Sequence, residues 1–129
     1  MLVVDPTVVL PLLAAGQPWT SAGSDDLVAP PLLWSECRSL LHDLARRGVL
    51  PTGEARRLRR ALDRAPITEL GHPQLGEETW RMADLMNHPR TEAAEYVALA
   101  RLTGAPLATL DRDLAERATA ACRVHVPPG

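Results

Sequence analysis

An α/β fold, a three-layer α/β/α sandwich with a central, mostly parallel sheet, is what the sequence predicts, and three observations carry it. Strand-like apolar runs alternate along the chain with single helices or helix pairs, the pattern that builds a parallel sheet with right-handed crossovers. The first run, Leu2-Val3-Val4, is short, apolar and β-branched, and reads as a strand buried at the centre of a sheet. The 129 residues are one domain's worth, 1–129. That length buries a single core covering roughly 65–70% of the unfolded surface.

Taken in order, the first strand ends at Asp5. Pro6 and Thr7 open an apolar stretch, 8–15, that is helical in character and stopped by Gly16; Pro11 argues for a kink or a delayed start. Residues 16–26 are turn-rich and read as a loop. Leu27-Val28-Ala29 forms a second strand before Pro30-Pro31. Over 32–47, Leu33, Leu40, Leu41 and Leu44 share a helical face that Gly48 closes. A helix from Thr52, a candidate N-cap, to about residue 65 turns Ala55, Leu58 and Leu62 inward. A strand at 67–70, a helix at 74–87 and another at 91–103, capped by Gly104, come next. The chain ends on a strand at 106–110, a helix at 111–121 and a strand at 123–126. There is no internal repeat.

Composition narrows the chemistry. Hydrophobic residues make up 46% and charged residues 23%, too apolar for disorder. All 14 basic residues are arginine, against 16 acids, for a net charge of −2. Without lysine there is no P-loop, no Schiff-base enzyme and no phospho-receiver domain. Cys37 and Cys122 form no CxxC unit and read as reduced, small hydrophobes in a cytoplasmic protein. Cys122 and His125 have zinc-like spacing but no second ligand pair. The four histidines are scattered and match no catalytic motif. No apolar run is long enough to span a membrane, and the apolar N-terminus lacks the basic start of a signal peptide.

Three acids stand out. Asp5 and Asp111 each follow an apolar strand, where open α/β sheets place their ligand sites. Each also fits as the N-cap of the helix that follows. Glu36 lies in the first turns of a mostly apolar helix, one turn from Leu32, Leu33 and Leu40, so it should face the sheet. Three converging carboxylates repel one another unless a cation sits between them. Hard oxygen donors suit Mg²⁺ or Mn²⁺, which activate water and stabilise charge on a phosphoryl centre.

Val3-Val4-Asp5-Pro6-Thr7, Leu32-Leu33-Trp34-Ser35-Glu36, Ala93-Ala94-Glu95-Tyr96-Val97-Ala98-Leu99-Ala100 and Gly104-Ala105-Pro106-Leu107-Ala108-Thr109-Leu110-Asp111 together resemble PIN-domain ribonucleases, especially VapC-type toxins. The resemblance spans nearly the whole chain. It implies a Mg²⁺- or Mn²⁺-dependent endoribonuclease cutting single-stranded regions of RNA of the tRNA and rRNA class. The implied acids are Asp5, Glu36 and Asp111, with Thr7 beside the first. A VapB-type antitoxin and a homodimer are implied as well, the latter through helix faces carrying residues such as Leu85 and Met86.

The chain departs from the family at one position. An aspartate is usual three residues before the tyrosine of Tyr-x-Ala-Leu-Ala, and here that position is Ala93. Glu92 and Glu95 flank it, but on a helix they point about 100° and 200° away. Either could replace the missing acid if the helix start is shifted. Otherwise the chain is a catalytically impaired PIN-fold protein that binds RNA or an antitoxin. Arg56, Arg57, Arg59, Arg60 and Arg64 crowd one helix. They are either a solvated face paired with Glu54 and Asp63 or an RNA-backbone contact, for which Arg56 and Arg60 are the candidates. Trp19 is expected in a polar loop, free to stack on a base, and Trp34 and Trp80 in the core.

Overall fold

The computed structural model of the protein describes residues 1–128. Its elements are β1 (Leu2–Val4), α1 (Pro6–Ala15), a 3₁₀ turn (Trp19–Ala22), β2 (Leu27–Ala29), α2 (Leu32–Arg46), α3 (Thr52–Asp63), β3 (Ile67–Glu69), α4 (Leu75–Leu85), α5 (Glu92–Thr103), β4 (Leu107–Ala108), α6 (Arg112–Ala118) and β5 (Val124–His125). The strands form one all-parallel sheet in the order β3-β2-β1-β4-β5. Six helices flank it: α1 packs against α2 and α3, whereas α4 lies along α5, which covers β1 and β4. This is the α/β sandwich expected from the alternation of runs.

The chain moves outward from β1 to β2 and β3, then returns past β1 to β4 and β5. The direction of winding therefore switches between β1 and β4, and such a switch opens a crevice at the carboxyl ends of the two strands. All three residues of β1 are buried, as a strand covered on both faces requires. α5 is buried nearly all round, with Ala94, Ala98 and Ala100 letting it approach both α4 and the sheet closely.

Several local expectations are corrected. Pro11 does not delay α1, which begins at Pro6 because Asp5 caps it and proline is pre-shaped for a first helical turn. Pro11 lies on the exposed side, where water can serve the carbonyl left without a donor. Thr52 is the first helical residue of α3 and makes no side-chain cap, so Pro51 precedes the helix instead. β4 is shorter than predicted because its ladder ends at Thr109, whose N–H reaches the His125 carbonyl, while the Leu110 N–H is taken by the Thr7 hydroxyl. Trp80 is not core but 68% exposed, and Trp34 is half-buried. Trp19 packs partly against the core rather than standing free. Leu40 is exposed despite its place in the leucine pattern of α2, and Met86 is buried whereas Leu85 is 56% exposed. No helix of the described residues is long and apolar enough to cross a membrane.

Candidate active site

The register of β1 and β4 builds the site. Val3 pairs with Leu107 and Val4 with Ala108, so the next residue on each strand, Asp5 and Thr109, meet where the ladder ends. Thr109 donates its hydroxyl hydrogen to Asp5 Oδ2 at 2.6 Å, and Thr7 donates to Asp5 Oδ1 at 2.5 Å. The Val8 N–H adds a longer bond of 3.3 Å to Oδ1, which makes Asp5 the cap of α1. The same two hydroxyls accept from the exit of β4: Thr7 Oγ1 from Leu110 N at 2.8 Å and Thr109 Oγ1 from Asp111 N at 3.1 Å. Two threonines thus fasten the Asp5 carboxylate and the backbone of Asp111 to one another.

Asp111 caps α6, accepting the Leu114 N–H on Oδ1 at 3.1 Å, and its Oδ2 carries no bond to the described residues. Both aspartates cap a helix and both border the same cavity, so the two placements weighed from sequence are compatible. Glu36 approaches from α2, half-buried, and the Tyr96 hydroxyl of α5 donates to its Oε1 at 2.5 Å. Asp5, Thr7, Glu36 and Asp111 line one cavity of about 260 Å³ with Glu92 and Ala93.

Asp5, Glu36 and Asp111 have no ion-pair partner among the described residues. Asp5 is 2% exposed, and burial pushes its pKa above the usual carboxylate value although the Thr109 and Thr7 hydroxyls pull it down. Glu36 is also raised, first by burial and then by the Glu92 and Asp5 charges, against the Tyr96 hydrogen bond. Tyr96 is driven strongly upward by burial and by Glu36, so it stays a donor. Burial and the charges of Glu36 and Asp5 push the Cys37 thiol up to about 12, which leaves it inert.

Glu92, the first residue of α5, borders the cleft beside Ala93, contrary to the angular argument. Arg90 engages it, the guanidinium hydrogen bonds holding its carboxyl at about 2. Glu95 is half-buried and does not line the cavity, although burial and the charges of Glu36 and Glu92 raise its pKa. Arg56 lines a different groove, between α2 and α3, and Arg60 is exposed on α3; neither borders the acids. Three contributors were not singled out from sequence. Thr109 was legible only as a polar residue at the end of an apolar strand, Tyr96 only as part of a motif, and Arg90 not at all.

Among the described residues no three Asp, Glu, His or Cys side chains are grouped closely enough to hold a metal ion by themselves. Mg²⁺ does not require such a group. It keeps several waters and is held by one or two carboxylates together with substrate phosphate oxygens. An open cleft of hard oxygen donors, with carboxylates that lack a cation, fits such an ion.

The fold is an α/β sandwich with an all-parallel sheet of PIN-like class, and carboxylates border one cleft at its switch point. No protein-family model matches the chain. Ribonuclease VapC9 of Mycobacterium tuberculosis and VapC ribonuclease Mb0985 of Mycobacterium bovis are each 33% identical to it over 130 residues, spanning 99% of this chain and 99% of theirs. The crystal structure of PAE2754 from Pyrobaculum aerophilum superposes with a TM-score of 0.74 at 25% identity, over 95% of this chain and 89% of that one. The chain belongs to the VapC ribonuclease family.

Proposed function

We propose that the protein is a Mg²⁺- or Mn²⁺-dependent endoribonuclease toxin that cleaves single-stranded regions of RNA, of the tRNA or rRNA class, and is neutralised by a VapB-type antitoxin. The observation that carries this reading is the meeting of Asp5, Glu36 and Asp111 in one cleft at the β1/β4 switch point. Asp5 and Glu36 would hold the ion, each fixed in orientation by hydroxyl donors. When bound, the ion supplies charge neutralisation at the phosphoryl centre and activation of water. Asp111 offers Oδ2 to orient the attacking water, because its Oδ1 is occupied by the cap of α6. The threonine pair keeps the two aspartates in register, which is the positional accuracy that in-line attack demands.

The reading of the chain as catalytically impaired by Ala93 is not favoured. Its relatives are named ribonucleases over their full length, and three acids still line the cleft with Glu92 at its edge. The antitoxin would present an arginine or lysine to the carboxylates, a charge-assisted contact of the strong kind. A homodimer built on α4, which exposes Trp80 and Leu85, belongs to the same proposal; a monomeric mass by light scattering would contradict it.

Incubation of bulk tRNA, rRNA and single-stranded oligonucleotides with the chain in Mg²⁺ or Mn²⁺ tests the function. Cleavage that stops with chelator and in Asp5→Asn or Glu36→Gln supports it. Folded chain that cuts none of these substrates with either ion, or cleavage surviving both substitutions, overturns it.

A further inference from the structure

Among the described residues that line the acid cleft there is one permanent cation, Arg90, and nothing in the proposed chemistry uses it. Its position is built rather than incidental. Asn87, at φ 52°, turns the chain back after α4, and Pro89 stiffens the short connection to α5. His88 Nδ1 accepts the Arg90 N–H at 3.2 Å, and Arg117 Nη1 of α6 ties down the Met86 carbonyl at 2.6 Å. Glu92 then grips one edge of the guanidinium, with Nη2 2.6 Å from Oε1 and Nε 3.2 and 3.3 Å from the two carboxylate oxygens. Nη1 makes no hydrogen bond to the described residues, so one edge of the planar cation is held while donors on the other remain open.

That arrangement answers a problem the cleft poses for any polyanion. Asp5, Glu36, Glu92 and Asp111 together repel phosphate, and a divalent ion bound among them acts on one phosphate only. A guanidinium pre-oriented by a carboxylate presents paired donors to phosphate oxygens with little further loss of rotamer freedom. Ala93 contributes only a methyl group to the same cavity.

We propose that Arg90 is a phosphate-positioning residue that binds the backbone of single-stranded RNA across the cleft, and that Glu92 is its holder rather than a substitute for the acid absent at position 93. The inference deepens the ribonuclease reading and rests on it only in taking the ligand to be an RNA backbone.

The test compares wild type, Arg90→Ala, Arg90→Lys and Glu92→Gln, with Arg47→Ala as a control from the exposed end of α2. Two quantities are measured on one single-stranded RNA oligonucleotide: kcat and KM in Mg²⁺, and Kd in chelator across a salt series. For Arg90→Ala the expected result is a KM raised about tenfold with little change in kcat, the loss of one charge-assisted contact made equally before and during reaction. The slope of log affinity against log salt should shrink by about 0.7, the signature of one phosphate contact on a single strand. Arg90→Lys should restore the slope but only part of the KM, because an ammonium lacks the planar fork. Glu92→Gln should raise KM while leaving Mn²⁺ affinity unchanged.

Arg47→Ala should change neither quantity. An Arg90→Ala chain with unchanged KM and salt slope, beside a cleaving wild type, overturns the inference and leaves the ribonuclease reading intact. An Arg90-dependent slope in a chain that cuts no RNA does the reverse. Mn²⁺ affinity lost in Glu92→Gln would make Glu92 a metal acid and overturn its role as holder. Wild type that neither binds nor cuts RNA overturns both.

Discussion

Among the described residues two carboxylates are buried, and the protein stabilises them in opposite ways. Glu78 of α4 sits between two cations: Arg81 Nη1 donates to its Oε2 at 2.8 Å, and Arg101 Nε lies 2.9 Å from Oε1. The second contact is out of line for a hydrogen bond, so Oε1 is held by charge alone. Asp5, as deeply buried, is held by two hydroxyls and an amide and has acids for neighbours. A buried charge is stable when paired. Glu78 meets that condition within its own chain, and Asp5 does not. Burial alone therefore does not mark a site; burial without a counter-charge does, because the missing charge must come from a ligand.

The sharpest way to break this contrast is to remove the charge at each place. Asp5→Asn should lower RNA cleavage on the order of 10²–10³-fold, as the loss of a preorganised electrostatic group does. It should also raise the thermal midpoint, because the uncompensated buried charge disappears. A melt by circular dichroism showing a lower midpoint would place Asp5 in the same class as Glu78. Glu78→Gln should do the opposite: a loss of about 1–2 kcal/mol, reduced from the fully buried case because both arginines are half exposed, with cleavage per folded molecule unchanged. Denaturant unfolding and an active-fraction assay would read both halves.

Ala93→Asp sharpens the same comparison by adding an acid beside those already uncompensated. Mn²⁺ affinity measured by calorimetry should rise about tenfold, since charge count and ligand number govern hard-cation binding. Equal affinities would remove position 93 from the site.

The smallest effect is the dependence of stability on pH. Asp5 and Glu36 have folded pKa values above their unfolded ones, so in the range just above the ordinary carboxylate pKa of about 4 the folded state binds more protons. Stability should then fall as pH rises out of that range toward neutrality, and Asp5→Asn should flatten the curve. Glu92 works the other way. Its contribution is present above the unfolded value and fades as pH drops toward about 2, but its exposure keeps that contribution small. Thermal midpoints measured every half unit from pH 4 to 8 would show the trend, and a rise toward neutrality would contradict it.

Much of this was legible in the sequence, and the reason is local. β1 shows itself because three consecutive apolar residues can only be covered on both sides, and α1 because Asp5-Pro6 is a cap followed by a residue shaped for a first turn. Asp5 and Asp111 could be paired as candidates because each closes an apolar strand, and the ends of strands are where such folds bind ligands. α4 was misread where local pattern misleads: Trp80 looks like core and faces solvent, and Met86 looks exposed and is buried.

What the sequence by itself determined was the alternation of elements, hence the sandwich, and the three candidate acids. Both follow from periodicity and from the few residues around each position, whereas Thr7 came only with the family resemblance. Tertiary structure alone decided which side chains complete the site, because that depends on strand register and helix approach between residues far apart in the chain. The pairing of Val4 with Ala108 sets Thr109 against Asp5 across 104 positions, and the packing of α5 near α2 brings Tyr96 to Glu36 across 60. The fold of the 87–91 connection turns Arg90 and Glu92 into the cleft while leaving Glu95 outside it. Such contacts are products of packing, where a side chain's partner is fixed by the geometry of the whole core rather than by its neighbours in sequence.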